Sequence, residues 1–224
     1  FAFDKGMSMF PLCHGAGGSH FNIGHAGQLA FAPLQRIAES EAECGSEMVW
    51  AEEWIASLME LQGFPVMPSH RNAIHTAMHN LAANPEHLRT LTNFYHVVQD
   101  REIKEALQHY TVQGAMGRLL DADTDTLSLS PFMVFEIEEL MNLGDKNLIP
   151  VLTYLFHRIE QALNGDPTIL ILDEAWIMLG HPVFRAKIRE WLKVMRKANC
   201  AVILATQSLS DAKNSGILDV LVES

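Results

Sequence analysis

Positive charge is scarce in this chain. Its 224 residues hold 16 Lys and Arg against 27 Asp and Glu, a formal net charge of −11. Affinity for nucleic-acid backbones comes largely from cationic side chains meeting phosphates, so this balance argues against a general nucleic-acid surface. Cysteine is scarcer still. Cys13, Cys44 and Cys200 are widely spaced and show no metal-type pairing; scattered cysteines of this kind suit a reducing cytoplasm. Long apolar runs are missing too. None approaches the ~20 residues that a membrane-spanning helix needs, and no signal-peptide pattern is visible. Internal repeats and low-complexity tracts are absent. What the chain does have is 48% apolar content, enough for a real core in one large domain or two small ones.

The most informative segment is Thr168–Trp176, which reads Thr-Ile-Leu-Ile-Leu-Asp-Glu-Ala-Trp. Four branched apolar residues stop at two adjacent carboxylates. The run is too short for a helix core and follows the turn-forming Asn164-Gly165-Asp166-Pro167. It predicts a strand buried on both faces, as in a parallel sheet. Ligands sit at the carboxyl ends of such strands. An acid pair there is the pattern of ATP hydrolases, in which Asp173 would hold Mg²⁺, directly or through water, and Glu174 would polarise the water that attacks the γ-phosphate. The plainer reading is a strand end followed by acids at a helix N-terminus, where the helix dipole favours them.

Downstream, Pro182 to Ala198 is patterned as an amphipathic helix, with Phe184, Ile188, Trp191, Leu192 and Met195 on one face. Asn199 ends it, and Cys200 to Thr206 predicts a second strand that stops at Gln207. The order strand, acid pair, helix, strand, polar residue is a βαβ unit, whose crossover should be right-handed. In hydrolases of this build the polar residue on the neighbouring strand reaches the γ-phosphate or the attacking water, which is the role expected of Gln207.

Three segments carry a family resemblance: Leu170-Ile171-Leu172-Asp173-Glu174-Ala175-Trp176, Leu192-Lys193-Val194-Met195-Arg196-Lys197-Ala198-Asn199, and Ala205-Thr206-Gln207-Ser208. Together they resemble the conjugative-transfer ATPases of type IV secretion systems, the TrbE-like branch above all. Phe3-Asp4-Lys5-Gly6 and Phe135-Glu136-Ile137-Glu138-Glu139-Leu140 are similar to that branch as well. The resemblance runs over essentially the whole chain. It implies an α/β fold: a RecA-like, mostly parallel sheet flanked by helices, working in a ring, expected to be a hexamer, that uses ATP and Mg²⁺. It also implies other secretion-channel proteins as partners and a peripheral place on the cytoplasmic side of the bacterial inner membrane, the chain itself being soluble. Ring motors of this kind carry an arginine ahead of the last strand that points into the neighbour's nucleotide site. Arg196 matches by position, with Lys197 and Arg189 as alternatives.

One departure from the family matters. No Gly-x-x-x-x-Gly-Lys-Ser/Thr phosphate-binding loop occurs in the chain. The stretch Cys13-His14-Gly15-Ala16-Gly17-Gly18-Ser19 lacks the lysine and reads as a flexible turn between strands. The loop is expected upstream of Phe1, making the chain a C-terminal fragment of a longer polypeptide that binds ATP weakly or not at all by itself.

Organisation along the chain follows changes in periodicity. Residues 1–38 read as the first part of the core, with strands at Phe1–Asp4, Phe21–Ile23 and Gln28–Phe31. Residues 39–125 lose strand character and predict an inserted all-helical subdomain. Trp50, Trp54, Leu58 and Leu61 form an inward stripe there, followed by helices near 68–83, 88–98 and 101–113. Residues 126–224 return to the core, with a strand at 132–137 and a helix near 146–163 before the acid-pair strand.

Glu136, Glu138 and Glu139 are expected at a strand-to-helix junction, bonding backbone amides. His75 and His79 share a helix face; a zinc site would need a further ligand, for which the neighbourhood offers His70 and Glu86, but no Glu lies within the pair, so the metalloprotease motif is absent and they are read as half-exposed helix histidines. The seven acids from Glu39 to Glu60, with no Lys or Arg among them, contrast with six basic residues between Arg185 and Lys197. Both are read as solvated helix faces or as complementary edges of neighbouring subunits.

Two functions from different classes remain. One is an ATP-hydrolysing motor subunit that powers conjugative DNA or protein transfer and pilus assembly, with a DNA-pumping coupling ATPase as its close variant. The other is a non-catalytic assembly module of the same machine.

Overall fold

The computed structural model describes residues 1–24, 29–38, 41–173 and 182–205. The chain forms two compact units, Phe1–Gln28 with Ser128–Ser224, and Leu29–Leu127.

The first unit is built on five parallel strands: β1 (Ala2–Asp4), β2 (Ser19–Asn22), β3 (Met133–Glu136), β4 (Thr168–Leu172) and β5 (Cys200–Leu204). Their spatial order is β2-β3-β1-β4-β5. The register sets Phe3 beside Phe135 on one side and beside Leu172 on the other, and Asp4 beside Glu136. Every residue of β1 and β3 is buried, as expected of inner strands in a parallel sheet covered on both faces. On one face Phe3 stacks near Phe135 and meets the ring of Phe156 edge-on at 4.9 Å. Phe156 belongs to α8 (Asp145–Ala162) and packs at 4.2 Å against Trp191 of α9 (Pro182–Lys197). Such ring pairs hold both helices to the same side of the sheet. The opposite face carries Ala2 and Val134, covered by Cys13 of the short α1 (Phe10–Gly15).

β4 corrects one expectation. Leu170 and Leu172 are fully buried, but Ile169 is 55% exposed, and Ile203 of β5 is 50% exposed. The strand is fully covered on one face; on the other, Ile171 is half-buried against the Ala2, Cys13 and Val134 cluster while Ile169 is open. Successive side chains alternate across a strand, and α9 packs with α8 and β5 on the Phe3 face. Among the described residues, α1 is the helix on the other face, and its packing partners there are Ala2 and Val134 over β1 and β3. The glycine stretch is also corrected: Cys13 to Gly15 close a helix that begins at Phe10, and the turn that follows enters β2.

The second unit is helical: α2 (Glu41–Leu61), α3 (Pro68–Ala82), α4 (Leu91–Val97), α5 (Arg101–Leu107) and α6 (Gly117–Leu120), with single 3-10 turns at Glu86–Leu88 and Gln108–Tyr110. Helix starts follow local chemistry. The Thr90 hydroxyl accepts from the Asn93 amide at the head of α4, and the Asp100 carboxylate accepts from the Glu102 and Ile103 amides at the head of α5. Trp54, Leu58, Ile74, Phe94 and Ile103 are fully buried at the centre, while Trp50, one turn earlier, is half-buried and stacks on Trp54. Residues 29–31, predicted as strand, are irregular; Phe31 donates to Leu119 and accepts from Ala122.

Candidate functional site

Because all five strands are parallel, their carboxyl ends share one edge, and the residues that leave them converge there. β1 leaves Asp4, β3 leaves Glu136 and β4 leaves Asp173. The Asp173 amide donates to the Phe3 carbonyl at 2.9 Å, and the Ala205 amide donates to Leu172 at 2.9 Å. Asp173 therefore stands between the ends of β1 and β5, half-buried. Glu174 and Gln207 lie outside the described residues.

Asp4 and Glu136 are neighbours in register and both are buried. Two carboxylates side by side and out of water are costly unless hydrogen bonds replace the lost hydration. Each has such bonds. Asp4 accepts from the Met9 amide at 2.8 Å and from the Ser8 hydroxyl. Glu136 accepts from the Gly6 amide at 3.2 Å, the Met7 amide at 2.6 Å and the Glu138 amide at 2.9 Å. The Glu138 bond sits at the start of α7 (Glu138–Asn142), the strand-to-helix junction expected there. These bonds tie down the loop between β1 and α1. The sequence pattern alone assigns no role to Asp4 or Ser8; their spacing of four at a strand-to-helix turn is the available signal.

The site's capacity for a metal is limited and specific. No group of three or more His, Cys, Asp or Glu side chains that could cage an ion occurs among the described residues. Mg²⁺ is usually held by one or two carboxylates, with waters and substrate phosphates completing the shell. A single half-buried carboxylate whose backbone is fixed, as Asp173 is, fits that mode.

Arg196 lies elsewhere. It is exposed on the last turn of α9 and lines a groove with Thr168, Asn199 and Cys200, at the amino ends of β4 and β5. Thr168 pairs with Cys200 and Leu172 with Leu204, so Arg196 and Asp173 sit at opposite edges of the sheet within one chain. In the helical unit, His75 meets Glu52 at 2.7 Å and the ring of His79 edge-on at 4.4 Å.

Comparison with known proteins bears on this arrangement. The chain is 58% identical over 229 residues to a probable conjugal transfer protein TrbE of Sinorhizobium fredii, covering 100% of this chain and 34% of that protein. It is 55% identical over 231 residues to a conjugal transfer protein TrbE of Rhizobium radiobacter, covering 100% of this chain and 27% of that protein. It is 27% identical to a type IV secretion system protein virB4 of Bartonella quintana, over 99% of this chain and 28% of that protein. The chain thus spans about a third or less of these relatives. The solved structure of VirB4 of Thermoanaerobacter pseudethanolicus superposes with a TM-score of 0.73 at 19% identity, over 98% of this chain and 64% of that one, and shares its fold. The model of the TraG P-loop domain matches residues 84–222. With more than half of its length matched, the chain belongs to the TraG P-loop domain family.

Proposed function

We propose that the chain forms part of an ATP-hydrolysing motor subunit that powers conjugative transfer of DNA or protein, and pilus assembly, in a type IV secretion system. The observation that carries this reading is the position of Asp173: the end of β4, between β1 and β5, at the carboxyl edge of an all-parallel sheet. Asp173 holds Mg²⁺, directly or through water. A metal ion held by Asp173 would supply positive charge against the phosphate oxygens of the nucleotide. Glu174, the next residue, orients and polarises the attacking water, and Gln207, beyond β5, contacts the γ-phosphate or that water. Arg196, at the opposite edge of its own sheet, acts on a neighbouring subunit's nucleotide, which supports a ring of identical chains, a hexamer in this reading. The phosphate cradle is supplied by residues outside this sequence, which holds no Gly-x-x-x-x-Gly-Lys-Ser/Thr loop. Other channel proteins at the inner membrane are the partners. Among the described residues no helix is long and apolar enough to cross a membrane, so attachment there runs through those partners or through other parts of the polypeptide.

The test is phosphate release from Mg-ATP by the full-length polypeptide, compared with its Glu174→Gln variant. Hydrolysis by the wild type, with binding but no turnover in the variant, is the expected result. A wild type that binds its channel partners and never hydrolyses ATP would favour a non-catalytic assembly module instead.

A further inference from the structure

The loop from Lys5 to Met9 is held more firmly than its exposure warrants. Gly6, Met7 and Ser8 are exposed, Met7 by 42%, and they fill no core. Yet two buried carboxylates fix them. Gly6 and Met7 adopt successive left-handed conformations, with φ of 83° and 59°. This turns both amides toward the two oxygens of Glu136, an arrangement that makes an anion-binding concavity in a backbone. A Cβ on Gly6 would meet nothing within 4 Å, so glycine is there for its dihedral angle and not for space. At the other end of the loop Asp4 takes the Met9 amide and the Ser8 hydroxyl. The loop leaves β1 one residue after Asp4, beside the strand end that carries Asp173, whose amide is bonded to Phe3. Lys5 is the only cation on it. Lys5 is half-buried and, among the described residues, has no hydrogen bond or ion pair.

We propose that Glu136 is a positioning residue of the nucleotide site: by chelating the Gly6 and Met7 amides it fixes the loop that presents Lys5 beside Asp173 to the phosphates of a bound nucleoside triphosphate. The proposal rests on the ATPase reading above and adds two residues to it. Fixing a charged group in advance matters because small misplacements of groups around a reacting centre lower rates steeply. Met9 packs against the Ala2, Cys13 and Val134 cluster, which accounts for Asp4 holding its amide, but Gly6 and Met7, the two residues that Glu136 holds, are exposed and bury nothing in return, so a purely structural role leaves the cost of that second buried carboxylate unexplained.

The experiment uses the full-length polypeptide. Glu136→Gln keeps the volume of the side chain but leaves one acceptor oxygen where two are needed, and turns an NH₂ group toward a backbone amide. It is expected to lower kcat for ATP hydrolysis by about tenfold to a hundredfold, with KM for ATP within about threefold and the thermal midpoint little changed. Lys5→Ala, which removes no hydrogen bond or ion pair among the described residues, should reproduce the kcat loss. The double variant should be no slower than Lys5→Ala alone, since both changes remove the same contribution. Lys5→Arg should recover part of the rate. Full turnover in Lys5→Ala, or losses that multiply in the double variant, would overturn the proposal, and this holds even if Glu136→Gln fails to fold. Absence of hydrolysis in the wild type would instead bring down the ATPase reading, and this proposal with it.

Discussion

The Asp173 amide donates to the carbonyl of Phe3 at 2.9 Å, and the Phe3 ring packs on Phe135 and Phe156. The main chain that carries the carboxylate expected to hold the metal is thus tied, through one hydrogen bond, to the strand at the centre of the aromatic core. Its position is set by strands rather than by a loop, the kind of support that keeps a functional group within a fraction of an ångström of its working place.

Replacing Asp173 with Asn should therefore remove function without removing structure. In the full-length polypeptide, ATP hydrolysis at saturating Mg²⁺ is expected to fall by about a hundredfold or more, the loss of one preorganised charge contact. Far-ultraviolet circular dichroism and the thermal midpoint should match the wild type. Turnover within about threefold of the wild type would remove Asp173 from the metal site.

Arg196 and Asp173 occupy opposite sheet edges in one chain, and this gives a subunit-mixing test. Arg196→Ala should abolish turnover while leaving ATP binding intact. Mixing Arg196→Ala chains with Asp173→Asn chains should then restore part of the activity, because some interfaces join an intact Asp173 site to an intact Arg196 from the neighbour. No recovery on mixing, or unchanged turnover in Arg196→Ala alone, would exclude action across the interface.

Tyr110 offers a test of the helical unit. It is fully buried, and burial pushes its phenol up to about 12, against a side-chain hydrogen bond from Gln62 that works the other way. The unfolded chain ionises this group near pH 10. Its contribution is fully present below pH 10, then declines as pH rises, and is gone above about 12, once both states are ionised. The amount at stake is on the order of 2–3 kcal/mol. Tyrosinate absorbance of the native protein should show a step near pH 12 that Tyr110→Phe lacks, and the variant's thermal midpoint should fall less between pH 10 and 12.

Trp54→Ala probes the same core by volume. Trp54 is 2% exposed and stacks with Trp50 at 5.8 Å. Truncating a buried indole typically costs about 3–5 kcal/mol, which should shift the urea midpoint of the helical unit strongly. The corresponding change at half-buried Trp50 should cost clearly less. Equal costs at the two positions would contradict the burial difference.

Much of the sheet was legible because its signals are local. The β4 strand announced itself by an apolar run that stops at acids, and the βαβ order followed from a helix-period segment placed between two such runs. The Trp54 stripe was readable within a few residues. The half-covered state of β4 was not, because Ile169, Leu170, Ile171 and Leu172 are all apolar and carry no alternation to show which face is wet. α1 was hidden by the glycines that end it, and by a start at Phe10-Pro11 without a side-chain cap. Asp173 stood out because an acid pair after an apolar run is a local signature, and its place at the carboxyl end of β4 follows from that run. Glu136 was expected to bond backbone amides and does, but its distant partners at Gly6 and Met7 could not be read, since no short window contains both ends of the clasp.

That clasp joins residues 130 positions apart in the chain, and the whole of Leu29–Leu127 lies between them. Neighbouring strands β2 and β3 are likewise separated by the entire helical unit. Closing so long a span is entropically expensive, and high contact order slows folding. The helices, whose partners are near in sequence, should gain structure first. The parallel ladder is then expected to zip late, with its carboxyl edge among the last parts of the first unit to acquire native geometry.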